Sequence, residues 1–218
     1  YRGLAGHDVE IVDRVPLVVE PNPDNLHYLT TKRAHAARTE RERGLVTSTE
    51  AVYAGQTALF RQAMVSFPSG VTIVTTTAPD GRWWGFTATS FCSVSIEPPL
   101  VLVCLADTAE CHPVFSETDR WIVHILHPDH ADLAIRFATR GADKFADAGF
   151  RPNERGLPVL ERACGVLDCS PYARHEGGDH TILVGRVESI TMSEEIPALY
   201  FRRAFHTLPA ARPERRGM

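Results

Sequence analysis

The chain has 218 residues, a formal net charge of −4, and 44% hydrophobic and 23% charged residues. That length supports one or two domains with a real core, in the composition range of an ordinary globular protein. No basic excess argues for nucleic acid, no acidic tail for tethering, and no apolar run approaches the roughly 18 residues of a membrane helix.

Residues 1–38 are short mixed pieces: Val9-Glu10-Ile11-Val12 reads as one strand, and Pro16, Pro21 and Pro23 impose extended or turning backbone. Residues 39–55 are polar, charged and small, and read as a linker. Leu59, Phe60, Ala63, Met64 and Phe67 then recur at the spacing of one helical face, and Pro68-Ser69-Gly70 ends that helix. Val71–Thr77 is dense in β-branched residues and predicts a strand. Pro79-Asp80-Gly81 predicts a turn, because proline presets one dihedral and glycine accepts a positive one. The chain returns from Trp83 to Phe91 as the second strand of a hairpin.

Leu100–Leu105 is nearly all apolar and predicts a central strand, as does Trp121–Leu126, with a short helix over Glu110–Glu117 between them. Asp129 starts a helix whose apolar positions include Leu133, Ile135, Phe137 and Ala138. Ala163–Ser170 and His180–Met192 predict the last strands. Many strands with few helices indicate a barrel-like α+β domain over 56–207, followed by a tail at 208–218, rather than a βαβ array.

Five cysteines, Cys92, Cys104, Cys111, Cys164 and Cys169, form no CxxC pair, which argues against a disulfide framework or a structural zinc site. Reduced thiols in a cytoplasm are the simplest reading. No signal peptide is visible, although the chain opens at Tyr1 rather than Met. Cys111-His112 with His124, His127 and His130 completes no ligand set, so no metal is expected. There is no GxGxxG, no P-loop and no GxSxG elbow.

Two stretches carry the chemistry. The run Gly85-Phe86-Thr87-Ala88-Thr89-Ser90-Phe91-Cys92-Ser93-Val94-Ser95-Ile96-Glu97-Pro98-Pro99-Leu100 packs hydroxyls and small residues into a strand. The second is Gly178-Asp179-His180-Thr181-Ile182-Leu183-Val184-Gly185-Arg186-Val187. Together, over roughly residues 58–206, they resemble the flavin reductase family, the small reductases that supply reduced FMN or FAD to partner monooxygenases.

The resemblance implies an FMN-binding split β-barrel with peripheral helices. It implies a homodimer with the flavin near the subunit interface, NADH or NADPH as hydride donor, and a monooxygenase component as partner. Thr87, Thr89, Ser90, Ser93 and Ser95 are candidate flavin contacts, with Ala88 and Val94 from the same strand. Strand alternation puts Thr87, Thr89, Ser93 and Ser95 on one face and turns Ser90 away unless a bulge intervenes. Arg140-Gly141-Ala142-Asp143-Lys144-Phe145 resembles the family's segment that closes over the flavin. There Arg140 or Lys144 would neutralise phosphate and Phe145 would cover the ring; a solvated helix end is the bland alternative. His180 corresponds to the histidine placed beside the nicotinamide.

The chain departs from the family after Leu105, where a cation followed by serine is usual. Here Ala106-Asp107-Thr108-Ala109-Glu110 offers Thr108 in place of the serine and two carboxylates near the phosphate. His124 stands where asparagine is common. Residues 1–38, through Glu10–Leu17 and Asn22–Arg33, resemble the C-terminal end of GTP cyclohydrolase II. That suggests a riboflavin-biosynthesis fusion, and with it an alternative reading as a non-catalytic flavin-binding or channelling module.

Overall fold

The computed structural model describes residues 56–209. The cyclohydrolase-like piece at 1–38 and the linker at 39–55 lie outside the described residues, as does the tail beyond 209.

A helix, α1, spans 56–65. It is followed by β1 (Ser69–Gly70), β2 (Thr72–Thr77), β3 (Trp83–Ala88), β4 (Cys92–Ser95) and β5 (Leu100–Ala106). Next come α2 (His112–Glu117), β6 (Trp121–Ile125) and, after a 3-10 turn at Pro128–His130, α3 (Ala131–Ala138). The chain finishes with β7 (Phe150–Pro152), β8 (Pro158–Leu160), β9 (Gly165–Glu176), β10 (His180–Met192), β11 (Ala198–Phe201) and β12 (Ala204–Thr207).

Seven strands pair in the order β3-β2-β6-β9-β10-β5-β4, each pair antiparallel. The two ends of this ladder are consecutive in the chain, separated by Thr89, Ser90 and Phe91 alone. The Cys104 N–H donates to Ser90 Oγ over 2.9 Å, continuing the register set by Cys92 opposite Leu102. The sheet therefore rolls up and closes through its own bend, which is the economy of a barrel. The hairpin strand expected over Trp83–Phe91 ends at Ala88, and after the bend the hydroxyl-rich run forms a separate strand, β4, at the other end of the ladder.

Two cores follow. Val74, Phe86, Val103, Leu105, Phe115, Trp121, Val123 and Leu183 fill the barrel. Val71, Ile73, Leu126, Ala134, Phe137, Leu160 and Tyr200 pack outside it, under α3. β2 is buried on both faces, so its threonines need partners. Thr72 Oγ1 donates to the Ala88 carbonyl at 2.9 Å, Thr75 to Pro158 at 2.7 Å and Thr76 to Arg120 at 2.6 Å.

The helix at 56–65 forms where the periodicity placed it, yet its apolar face does not join either core: Leu59 is 66% and Phe67 70% exposed. β9 continues to Glu176, six residues past the expected Ser170. The hairpins β7–β8 and β11–β12 had no sequence prediction.

Candidate active site

β3 is the last strand of its ladder, so among the described residues its outer edge carries no strand. Gly85 lies in the middle of it because α3 comes too close for a side chain: a Cβ there would stand 2.7 Å from Phe137 Cε1 and 2.9 Å from the Val74 carbonyl oxygen. The Gly85 carbonyl accepts from Lys144 Nζ at 3.2 Å. Burial pushes the Lys144 pKa down, with Cys111 and Glu110 opposing that shift. Among the described residues no carboxylate stands within ion-pair distance of this ammonium. It is a half-buried cation with one neutral acceptor.

The loop carrying Lys144 is braced from several sides. Glu110 accepts from the Gly141 N–H at 3.1 Å and pairs with Arg140 at 3.6 Å. Arg136 Nη1 donates to the Ala146 carbonyl at 2.8 Å, and Asp143 accepts from the Ala146 N–H at 3.3 Å. The Phe145 ring packs edge-on against Trp83, Phe137 and Phe150, with centroids 5.0 to 5.5 Å apart. Between this loop and the β2–β3 turn lies a cleft of about 600 Å³ whose lining includes Arg82, Trp83, Trp84, Gly85, Glu110 and Lys144. Arg82 lies over the Trp84 ring, 4.2 Å from its centroid.

A second cluster sits at the other end of the Asp107–Glu110 loop. β9 and β10 are joined by a tight turn in which Gly178 takes φ +80° and the Gly177 N–H donates to the His180 carbonyl at 2.8 Å. Only glycine adopts that dihedral without strain. The turn brings His180 opposite Ala106, and the Asp107 N–H donates to the Asp179 carbonyl at 3.1 Å. His180 is 7% exposed, and its Nδ1 lies 2.8 Å from Asp179 Oδ1. A carboxylate only accepts, so Nδ1 carries the proton and Nε2 is the acceptor in the neutral ring.

Asp107 is engaged too. Thr181 Oγ1 donates to Asp107 Oδ1 at 2.9 Å. His112 Nε2 lies 2.8 Å from Thr181 Oγ1 and 3.2 Å from Asp107 Oδ1. With the Thr181 proton committed to the carboxylate, His112 Nε2–H is the donor.

The remaining candidates are spread along the roll. Thr87 Oγ1 donates to the Ala134 carbonyl at 2.6 Å, tying β3 to α3. Ser90 Oγ accepts from Cys104. Ala88 is buried, while Thr89 lies half-buried in the bend. Ser93 and Val94 are exposed on β4, with Ser95 partly covered. The register shifts between Ser93 and Ser95, so Val94 is a bulge and the expected one-face alternation does not hold from Thr87 to Ser95. Thr108 is exposed in the turn after β5. The structure brings Lys144, Phe145 and Arg140 together around Glu110, and places His180 across the 107–110 loop from them. Arg82, Trp84, His112 and Thr181 had no sequence prediction as site residues.

The fold is an antiparallel split barrel with few helices, which holds Lys144 on the Gly85 carbonyl and His180 on Asp179. Residues 64–209 match the flavin reductase like domain, and the chain belongs to that family. It is 46% identical to the actinorhodin polyketide dimerase of Streptomyces coelicolor, over 72% of this chain and 90% of that protein. It is 40% identical to an FMN reductase (NADH) of Agrobacterium fabrum, over 67% of this chain and 83% of that one. It is 36% identical to the reductase subunit of a flavin-dependent monooxygenase of Mycobacterium tuberculosis, over 64% of this chain and 73% of that one. Among solved structures, a Streptomyces globisporus NADH:FAD oxidoreductase in complex with NAD and FAD fragments matches with a TM-score of 0.67 at 31% identity, over 71% of this chain and 93% of that one.

Proposed function

We propose that this chain is an NADH- or NADPH-dependent flavin reductase that hands reduced FMN or FAD to a monooxygenase or another acceptor. The observation that carries the reading is the Asp107–Glu110 loop, which joins the His180 corner to the Lys144 cleft. One short segment thereby couples a nicotinamide-orienting histidine to a phosphate-seeking ammonium. The bound flavin would supply the two-electron acceptor chemistry.

The residues of the chain fit that ligand. The unpaired edge of β3 offers backbone groups to the rim of a flat ring. Lys144, lacking a carboxylate partner, supplies the charge that a flavin phosphate needs. Thr89 in the bend, and Ser93, Val94 and Ser95 on β4, carry the approach onward from that edge. Thr87 and Ser90, whose hydroxyls are engaged within the fold, act there through their backbone. His180 Nε2 accepts from the nicotinamide carboxamide, and Asp179, bonded to Nδ1–H, holds the ring in that orientation. Arg140 acts through Glu110, positioning the loop; Phe145 anchors it in the aromatic cluster, and Thr108 borders the approach.

A second copy completes the site in this reading. The exposed Leu59, Phe60, Met64 and Phe67 on one side, and Val94 and Ile96 on another, supply apolar surface for a homodimer. Five free thiols suit a cytoplasmic location. No helix among the described residues is long and apolar enough to cross a membrane.

Oxidation of NADH and NADPH at 340 nm with FMN, FAD or riboflavin tests the proposal. Flavin-dependent turnover is the expected outcome. Flavin binding without oxidation of either nicotinamide would overturn it in favour of a binding module.

A further inference from the structure

The cleft beside β3 holds more than a phosphate needs. Lys144 stands at its floor, but its lining also includes the Trp84 indole and Arg82. Trp84 is only partly buried and Arg82 is exposed. Arg82 lies 4.2 Å from the Trp84 centroid, held there by the β2–β3 turn, in which the Ala78 N–H donates to the Arg82 carbonyl at 2.8 Å and the Arg82 N–H to Asp80 Oδ1 at 3.0 Å. Among the described residues Arg82 has no carboxylate partner either. Of the two acids in the lining, Glu110 is already paired with Arg140 and the Gly141 N–H, and Asp143 accepts from the Ala146 N–H.

Two cations without a carboxylate ion-pair partner among the described residues, lining one cleft with an indole, form a site for an anion attached to a flat ring. Arginine recognises phosphate through its planar fork, and an indole stacks any purine face. About 600 Å³ is in the range that accepts a nucleotide-sized group. The cleft adjoins, but does not contain, the hydroxyl-rich 89–95 segment and His180, so it suits the remote end of a dinucleotide rather than its reacting ring.

We propose that the Arg82–Trp84–Lys144 cleft binds the adenosine diphosphate half of a dinucleotide substrate, the portion that FAD and NAD(P)H share. The inference rests on the flavin reductase reading for the identity of its ligands. The ADP moiety seats its phosphates on Lys144 and Arg82 and its adenine against Trp84. FMN carries only the flavin-side phosphate, which Lys144 takes, and riboflavin carries none, so Arg82 and Trp84 are the specificity determinants.

The first test uses the whole chain and ADP alone, followed by tryptophan fluorescence. The chain has three tryptophans, and Trp121 is 1% exposed, so a saturable change reports on Trp83 and Trp84. Saturable quenching is expected, weakened about fivefold or more in Arg82→Ala, a surface substitution that leaves both cores intact. The second test separates the two sources. If FAD is the occupant, Arg82→Ala raises KM for FAD at least about fivefold and leaves KM for FMN unchanged. If the nicotinamide donor is the occupant, KM for NADH rises with riboflavin as acceptor, and KM for reduced nicotinamide mononucleotide does not. No quenching by ADP, together with an unchanged FAD-to-FMN ratio and an unchanged NADH-to-mononucleotide ratio in Arg82→Ala, overturns the inference. Saturable ADP quenching without turnover on any flavin would sink the reductase reading and leave the cleft as an ADP site.

Discussion

At the scale of single residues, His180 and Asp179 are the sharpest test of the chemistry. The imidazole is held at 2.8 Å by its sequence neighbour's carboxylate, so its orientation survives the absence of any ligand. His180→Ala removes the acceptor meant for the carboxamide. The expected result is a fall in kcat/KM for NADH of about 10- to 100-fold, the range of one lost positioning contact. Flavin affinity, read by fluorescence titration, stays within twofold of about its original value. Asp179→Asn keeps the ring and loses the preference for one tautomer, so it should cost less than the alanine variant. Equal loss of flavin and NADH binding in His180→Ala would instead mark the histidine as part of the fold. The histidine was singled out in the sequence by the resemblance of its Gly-Asp-His motif to the family, and the glycines before it marked a strand entrance. Thr181 and His112 were not, since their hydrogen bonds join residues that only the β5–β10 pairing brings together.

At the scale of elements, the contact between β3 and α3 decides whether the cleft has its floor. Gly85→Ala places a methyl 2.7 Å from Phe137 and 2.9 Å from the Val74 carbonyl. The ring can rotate away, but a backbone oxygen in the β2–β3 ladder cannot. Overpacking of this kind costs about 1–3 kcal/mol, a drop in the urea midpoint of about 1 M at ordinary m-values. Because the Gly85 carbonyl is the Lys144 acceptor, KM for phosphorylated flavins should rise in the same variant. An unchanged midpoint would mean that α3 is free to move outward. Strands with a dense β-branched signal were legible: β2 and β10 lie where the sequence placed them. The break at Thr89–Phe91 was not, since no glycine or proline marks it and hydroxyl residues continue on both sides. The β11–β12 hairpin was hidden for a related reason. Its turn uses Arg202 and Arg203 at φ 49° and 62°, a conformation usually announced by glycine or asparagine.

At the scale of the whole molecule, the fold buries a titratable group against the core that lies under α3. His124 on β6 is fully buried: its Nδ1 lies 2.9 Å from the Ile73 carbonyl, to which it donates, and its ring meets Phe150 edge-on. Among the described residues its Nε2 has no hydrogen-bond partner. Burial lowers its pKa from 6.5 to about 4, outweighing the hydrogen bond to Ile73, and the nearby His130 pushes the same way. The unfolded chain takes up a proton here once the pH falls below about 6.5, whereas the folded chain resists until about 4. Stability from this residue is therefore complete above about 6.5 and declines as the pH falls through that window, by at most about 3 kcal/mol. His130, lowered chiefly by burial, adds to the loss in the same direction. His124→Asn retains an N–H donor for Ile73 and removes the titration. Urea unfolding at pH 7.5 and pH 4.5 should show a steep acid loss in the parent chain and a much shallower one in the variant. Parallel losses would place the acid sensitivity in the surface carboxylates instead. A shallower slope would identify His124, where the family resemblance leads one to expect asparagine, as the source of the chain's acid limit, set in the core and away from His180.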